Sequence, residues 1–154
     1  MDKEIKDILL AEDDSKDLEL TLTALRKNHI ANRVIVVRDG AEVFDYLYRE
    51  GEFAHRAGPN PSLILLDLRM PKVDGLEVLR RVKSDAKLNM IPVVVLTCSR
   101  AESDLVESYR LGVNAYVVKP VHFTEFVEAV SHLAMFWALV NEPPQAPPAS
   151  SLVS

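Results

Sequence analysis

Acidic, hydroxyl and basic side chains each follow a short apolar run in this chain. They are three acids after the first run (Glu12, Asp13 and Asp14) and then Asp67, Thr97 and Lys119 after three later runs. Runs of three or four apolar residues separated by helix-like segments predict buried parallel strands, whose last residues lie at one edge of a sheet. We therefore expect these side chains to meet in one cleft.

Carboxylates that share a cleft repel each other strongly unless a cation lies among them. A set made only of oxygen ligands, and few of them, suits Mg²⁺. A lysine on the far side of the cleft completes a site for a phosphoryl group. Asp67 is the expected acceptor, because a carboxylate is an adequate nucleophile toward phosphorus once a metal neutralises it. Taken alone, Asp67 is equally compatible with capping the turn before Met70-Pro71.

The same residues occur in the order and spacing of a known family. Residues 5–140 resemble the receiver domains of two-component response regulators. The match rests on Glu12-Asp13-Asp14, on the run from Leu65 to Pro71, on Asp74-Gly75, on Leu96-Thr97, and on the run from Tyr116 to Pro120. Within that family, the segment from Arg49 to Ser62, the run from Pro92 to Thr97 and Phe136-Trp137 look most like the stand-alone regulators that partner bacterial phytochromes.

This resemblance implies a flavodoxin-like (βα)5 receiver fold, a doubly wound five-stranded parallel sheet of strand order 2-1-3-4-5. The alternation of strand and helix signals also predicts a doubly wound α/β sheet. We expect a receiver domain over residues 1–141 and a disordered, proline-rich tail over 142–154. The strands are predicted near 6–11, 33–37, 62–67, 92–97 and 114–118, and the helices near 15–29, 40–50, 74–84, 101–111 and 122–140. Asp39-Gly40 and Asp74-Gly75 are expected to open the second and third helices, and Gly112 to end the fourth in a left-handed conformation.

The resemblance also implies how a metal is held. Asp13 coordinates Mg²⁺ directly and Glu12 does so directly or through a water, while Asp67 and the backbone carbonyl of Arg69 complete the set. Asp14 has two possible roles, a third acid at the rim or the N-cap of the first helix. The cap is favoured because an aspartate is a good cap just before Ser15-Lys16-Asp17.

In the family, a hydroxyl and a lysine bind the phosphoryl oxygens, and here these are Thr97 and Lys119. Thr97 and Tyr116 form the switch, Tyr116 turning into the space that the Thr97 hydroxyl vacates. The alternative for Tyr116 is an ordinary half-exposed strand aromatic. Arg69 and Ser99 hold the variable positions that tune the lifetime of the phosphorylated form, although a solvated Arg69 would have no such role. Cys98 is expected to be a small buried apolar residue rather than a redox group.

Composition narrows the class of protein. With 154 residues the chain has room for one ordinary domain, and its net charge of −5 argues against nucleic-acid binding, which needs clustered Lys and Arg. No apolar stretch approaches the ~20 residues that cross a bilayer. The charged N-terminus lacks a signal segment and the single cysteine forms no internal disulfide, so we expect a cytoplasmic protein.

The end of the last predicted helix is apolar almost all round. Phe136, Leu139 and Val140 lie off the stripe that should face the sheet. An exposed patch of this kind usually marks an interface, so we expect a homodimer. The alternative is that the tail folds back over the patch.

Two other protein classes share parts of this pattern. A haloacid-dehalogenase-like phosphatase needs a second acid two positions after its nucleophile, where Arg69 stands here. A flavodoxin-like cofactor binder needs Ser, Thr and Gly amides after the first strand, where Glu12-Asp13-Asp14 would repel a phosphate. A pseudo-receiver that signals without phosphate stays open.

We therefore expect a single-domain response regulator that takes a phosphoryl group from a histidine kinase, of the bacterial phytochrome type. It is expected to catalyse only its own phosphorylation and dephosphorylation. Having no output domain in the sequence, it would contact a downstream protein or pass the phosphoryl group on.

Overall fold

Five strands and the helices that connect them are seen in the computed structural model, which describes residues 7–27 and 32–118. The strands are β1 Ile8–Ala11, β2 Val34–Val37, β3 Leu63–Leu66, β4 Val93–Thr97 and β5 Ala115–Val118. The helices among the described residues are α1 Ser15–Lys27, α2 Gly40–Tyr48, α3 Gly75–Ser84 and α4 Glu102–Arg110, with a 3-10 turn at Gly51–Phe53. All paired strands are parallel and their order is β2-β1-β3-β4-β5, which confirms the predicted sheet.

The central strands are apolar because both faces of the sheet are covered. Every residue of β1, β3 and β4 is buried, as parallel strands packed on both sides require. Successive side chains point to opposite faces, so there are two cores. Leu9, Ile64 and Val95 share one core with residues of α2 and α3, whereas Leu10 and Leu65 share the other with residues of α1.

Aspartate caps begin α2 and α3 where the sequence predicted. The Asp39 carboxylate accepts a hydrogen bond from the Glu42 nitrogen at 2.8 Å, and the Asp74 carboxylate accepts one from the Glu77 nitrogen at 3.0 Å. Each bond satisfies a donor that the first helical turn leaves without a backbone partner. Gly112, with φ of 100°, follows α4 in the left-handed conformation predicted for the end of that helix.

The predicted end of α2 at residue 50 is wrong by two residues. Arg49 adopts a left-handed conformation with φ of 59°, which stops the helix at Tyr48. Its guanidinium donates to the backbone carbonyls of Arg56 and Gly58, both at 2.6 Å, and these bonds hold the turn. Among the described helices none is both long and apolar enough to cross a membrane.

Candidate functional site

Three carboxylates meet at the carboxyl edge of the sheet. Glu12 and Asp13 follow β1 and Asp67 follows β3, and one oxygen of each lies within 4.8 Å of the others. They meet because β1 and β3 are paired in register, Ala11 opposite Leu66. Asp13 is exposed, whereas Glu12 and Asp67 are only 2% and 6% exposed. The structure thus brings together three of the four acids that were expected to share one cleft.

Such a cluster is suited to a hard divalent cation. Two of its carboxylates are buried, and carboxylates this close together repel each other unless a cation lies among them. Their ligand atoms are all oxygens, which suit Mg²⁺ or Mn²⁺. The chemistry of the donor set therefore fits the group that the sequence implied.

Asp14, the third acid of the run, has a different role. Its Oδ1 accepts hydrogen bonds from the backbone nitrogens of Lys16 and Asp17, both at 2.9 Å, which makes it the N-cap of α1. Its own backbone nitrogen donates to Glu12 Oε2 at 3.1 Å. The favoured capping role is confirmed, and the same turn orients a carboxylate of the cluster.

Close backbone packing fixes the position of Asp67. The Asp67 nitrogen donates to the Ala11 carbonyl at 3.1 Å, and the Gly75 nitrogen donates to the Leu68 carbonyl at 3.0 Å. A Cβ on residue 75 would lie 2.5 Å from the Asp67 carbonyl oxygen and from Leu68 Cα. Glycine is needed there because the start of α3 rests directly on the backbone of Asp67 and Leu68.

Thr97 ends β4 and is fully buried. Its Oγ1 accepts a hydrogen bond from the Ser99 nitrogen at 3.2 Å. Tyr116, on β5, is half-buried and donates its hydroxyl to the Ser99 carbonyl at 3.2 Å. The two expected switch residues are therefore joined through the backbone of one residue, Ser99.

The Tyr116 phenol reports on the charges around the site. Its pKa is raised above the ordinary value of 10, chiefly by burial. The charges of Asp104 and Asp67 also raise this pKa, whereas the Ser99 hydrogen bond and the charge of Arg69 lower it. All three charged side chains are thus within electrostatic range of the same phenol.

Arg69 is not simply solvated. One guanidinium nitrogen lies 3.2 Å from Asp104 Oδ2 and 3.4 Å from Ser99 Oγ, although 68% of the side chain is exposed. The Ser99 hydroxyl in turn donates to Asp104 Oδ2. No sequence pattern indicated Asp104, because an acid in the first turn of a helix is common for reasons of the helix dipole alone.

Cys98 is exposed, so the expectation of a small buried residue is wrong. Cys98 lies one residue beyond the end of β4, whose own residues are all buried. The Cys98 sulfur lies 4.0 Å from Asp17 Oδ2 of α1.

Several predicted residues lie outside the described ranges. They are Lys119, the expected phosphoryl-binding cation, and the three residues of the expected dimer interface, Phe136, Leu139 and Val140. The predicted last helix at 122–140 and the tail at 142–154 lie there too.

Comparison with known families decides the class. The family model of the response regulator receiver domain matches residues 8–131. This chain belongs to that family. The match confirms the resemblance seen in the motifs, and it decides against the phosphatase and the cofactor binder, which share only the architecture or the nucleophile. Receiver domains are in general signalling switches with an acidic pocket for Mg²⁺ or Mn²⁺, and this receiver domain has such a pocket.

Relatives of this receiver domain include regulators of phytochrome systems. Response regulator Rcp1 of Synechocystis is 41% identical over 132 residues, which are 86% of this chain and 88% of Rcp1. The Mn²⁺-bound crystal structure of Rcp1 has a TM-score of 0.80 at 40% identity, covering 90% of this chain and 99% of that one. The phosphorylated cyanobacterial phytochrome response regulator RcpA has a TM-score of 0.81 at 42% identity, over 92% and 100%. The bacteriophytochrome response regulator RtBRR has a TM-score of 0.76 at 60% identity, over 92% and 86%.

Proposed function

We propose that this receiver domain accepts a phosphoryl group from a histidine kinase on Asp67 and signals by the conformational change that follows. The observation that carries the proposal is the gathering of Glu12, Asp13 and Asp67 within 4.8 Å. Of these, Asp67 is a buried acid that directly follows β3, and the start of α3 rests on its backbone. Membership of the receiver family implies that an aspartate accepts the phosphoryl group. Asp67 is the aspartate of the matching run from Leu65 to Pro71.

Mg²⁺ is the cation that we propose for the cluster. Its ligands would be the three carboxylates and the backbone carbonyl of Arg69. When bound, the ion would offset the negative charge of the acceptor carboxylate and of the incoming phosphoryl oxygens. The relative Rcp1 was crystallised with Mn²⁺, which has similar oxygen-ligand preferences.

In the transfer, a carboxylate oxygen of Asp67 bonds to the phosphorus of a phosphohistidine on the kinase. The phosphorus–nitrogen bond breaks as the phosphorus–oxygen bond forms, and its electron pair remains on the imidazole nitrogen. The product is an acyl phosphate that carries more negative charge than the carboxylate did. Thr97 and Lys119 are the groups proposed to bind its oxygens.

The switch follows from the bonds around Ser99. When the Thr97 hydroxyl turns to the phosphoryl group, it would lose the hydrogen bond that it accepts from the Ser99 nitrogen at 3.2 Å. Tyr116 would then turn into the space that the hydroxyl has left. Tyr116 would then also leave the Ser99 carbonyl. Arg69 and Ser99 flank the acceptor and are proposed to tune how fast water removes the phosphoryl group.

The kinase that we propose is of the phytochrome type. The support is the 60% identity with a bacteriophytochrome response regulator and the 42% identity with a cyanobacterial phytochrome regulator. We further propose that the protein is cytoplasmic and has no catalytic activity beyond its own phosphorylation and dephosphorylation. Its receiver domain would span residues 1–141 and be followed by a disordered tail over 142–154. The last helix would form a homodimer interface. A downstream protein would receive the signal by contact or by phosphotransfer.

The direct test is transfer of radiolabel from an autophosphorylated phytochrome kinase. The wild-type chain should take up label, and the Asp67→Asn variant should not. Asp45→Asn, a half-buried acid on α2, is the matched control and should behave like wild type. Equal labelling of Asp67→Asn would show that the acceptor is another residue. If the wild-type chain takes label neither from the kinase nor from a small phosphodonor, the result would instead favour a pseudo-receiver that signals without phosphate.

A further inference from the structure

A charged contact joins α4 to the acceptor loop, residues 67–74 between β3 and α3. The expected Thr97 and Tyr116 switch does not include this contact. The Arg69 backbone nitrogen donates to Asp67 Oδ1 at 3.2 Å, and its guanidinium lies 3.2 Å from Asp104 in the first turn of α4. One residue therefore binds the acceptor with its backbone and α4 with its side chain. The Asp104 side chain is only 18% exposed, so its partners constrain it.

Ser99 strengthens this contact. Its hydroxyl donates to Asp104 Oδ2 and accepts from the Ala101 nitrogen at 3.3 Å, while its carbonyl accepts the Tyr116 hydroxyl. A displacement of Asp104 would consequently disturb the hydrogen bonds of Ser99 in the turn that precedes α4. A cavity of about 160 Å³, lined by Leu68, Arg69, Asp74, Leu76 and Asp104, lies beside the pair and leaves room for such a displacement.

A phosphoryl group on Asp67 would compete for the same guanidinium. It brings a charge of about −1.5 to −2 and three strong acceptor oxygens, whereas Asp104 offers a single negative charge. Arg69 is two residues from the acceptor, and its charge, like those of Asp67 and Asp104, acts on the Tyr116 phenol. The stronger anion would therefore draw Arg69 away from α4.

We propose that Asp104 is a positioning residue for phosphorylation: it holds the Arg69 guanidinium on α4 before phosphorylation and yields it to the phosphoryl group afterwards, which releases the first turn of α4. This rests on the proposed function of Asp67. Because the coupling is reciprocal, loss of Asp104 must strengthen phosphoryl binding by the factor by which the phosphoryl group weakens the contact. For an exposed ion pair that factor is roughly two- to fivefold.

The test is calorimetric titration with beryllofluoride and Mg²⁺, beryllofluoride serving as the phosphoryl mimic. Asp104→Asn should bind it roughly two- to fivefold more tightly than wild type. Glu102→Gln is the matched control, since it removes one negative charge from the same turn of α4 at an exposed position. Glu102→Gln should change the affinity for beryllofluoride less than Asp104→Asn does. In an Arg69→Gln background, Asp104→Asn should change the beryllofluoride affinity no more than Glu102→Gln does. In ~1 M salt, the difference in affinity between Asp104→Asn and wild type should become smaller.

Hydrogen exchange supplies a readout in α4 itself. The amides of Asp104 and Leu105 donate to the Ala101 carbonyl at 3.1 and 3.2 Å. Beryllofluoride should speed their exchange in wild type and leave it unchanged in Arg69→Gln. Equal affinities for Asp104→Asn and Glu102→Gln, in a chain that binds the mimic through Asp67, would overturn this inference alone. Binding that persists in Asp67→Asn would overturn the proposed function as well.

Discussion

Neighbouring aspartates at the end of β1 have separate tasks. Asp13 contributes an oxygen to the acidic cluster, and Asp14 caps α1 with hydrogen bonds of 2.9 Å. Their charges are alike and one residue apart. The geometry, rather than the charge, therefore distinguishes the proposed metal ligand from the helix cap.

A pair of isosteric variants tests this distinction. Asp13→Asn should weaken Mg²⁺ binding by about tenfold or more, because the charge on the ligands governs affinity at an oxygen site. Asp14→Asn removes the same charge from the adjacent residue while keeping a good cap, so its effect should be much smaller. Calorimetry with MgCl₂ measures both. Equal losses would mean that the cation responds to the general negative field and that Asp13 is no ligand.

At the scale of secondary structure, α2 is joined to the start of β1 by a buried tyrosine. Tyr46, in α2, is 1% exposed and donates its hydroxyl to Asp7 Oδ2 at 3.0 Å. The Arg33 guanidinium forms two bonds to the same carboxylate, at 3.0 and 3.2 Å. Burial, followed by the bond to Asp7, raises the pKa of Tyr46 from 10.0 to about 12.

This raised pKa predicts a loss of stability in alkali. Between pH 10 and about pH 12 the folded chain keeps the Tyr46 proton that the unfolded chain has lost, so stability falls as the pH rises. The Tyr46 contribution to the unfolding free energy should be about 1 kcal/mol lower at pH 11 than at pH 9. Urea unfolding of Tyr46→Phe should show a correspondingly shallower decline. Tyr109→Phe, at an exposed tyrosine, should match wild type, and an unchanged decline in Tyr46→Phe would contradict this assignment.

Local patterns predicted most of the elements. The apolar runs located all five strands, and Asp39 and Asp74 located the starts of α2 and α3. The end of α2 was missed because a left-handed arginine at position 49 has no sequence signature of the kind that glycine provides. The Arg69–Asp104 contact spans 35 positions and depends on how α4 sits against the acceptor loop, which no local pattern encodes.

On the scale of the whole molecule, the sequence predicts assembly. The expected interface, at Phe136, Leu139 and Val140, consists of large apolar side chains, each worth roughly 1.5–3 kcal/mol if buried. Two copies of one patch suit a symmetric dimer.

Sedimentation tests this assembly. The wild-type chain should be dimeric at about 100 µM, where even a micromolar dimer forms. Phe136→Asp should convert it to a monomer and leave phosphorylation of Asp67 intact, because the acidic cluster is formed by residues that follow β1 and β3 and Phe136 is not one of them. A wild-type monomer at that concentration would rule out the proposed interface.

Intact-mass spectrometry after incubation with acetyl phosphate and MgCl₂ tests whether Asp67 is the phosphoryl acceptor. The wild-type chain should gain the mass of one phosphoryl group, and the gain should depend on the metal. Asp67→Asn should gain none, while Asp14→Asn, which keeps the cap of α1, should be phosphorylated. A phosphoryl group on the Asp67→Asn chain, in the same yield as on wild type, would show that Asp67 is not the acceptor.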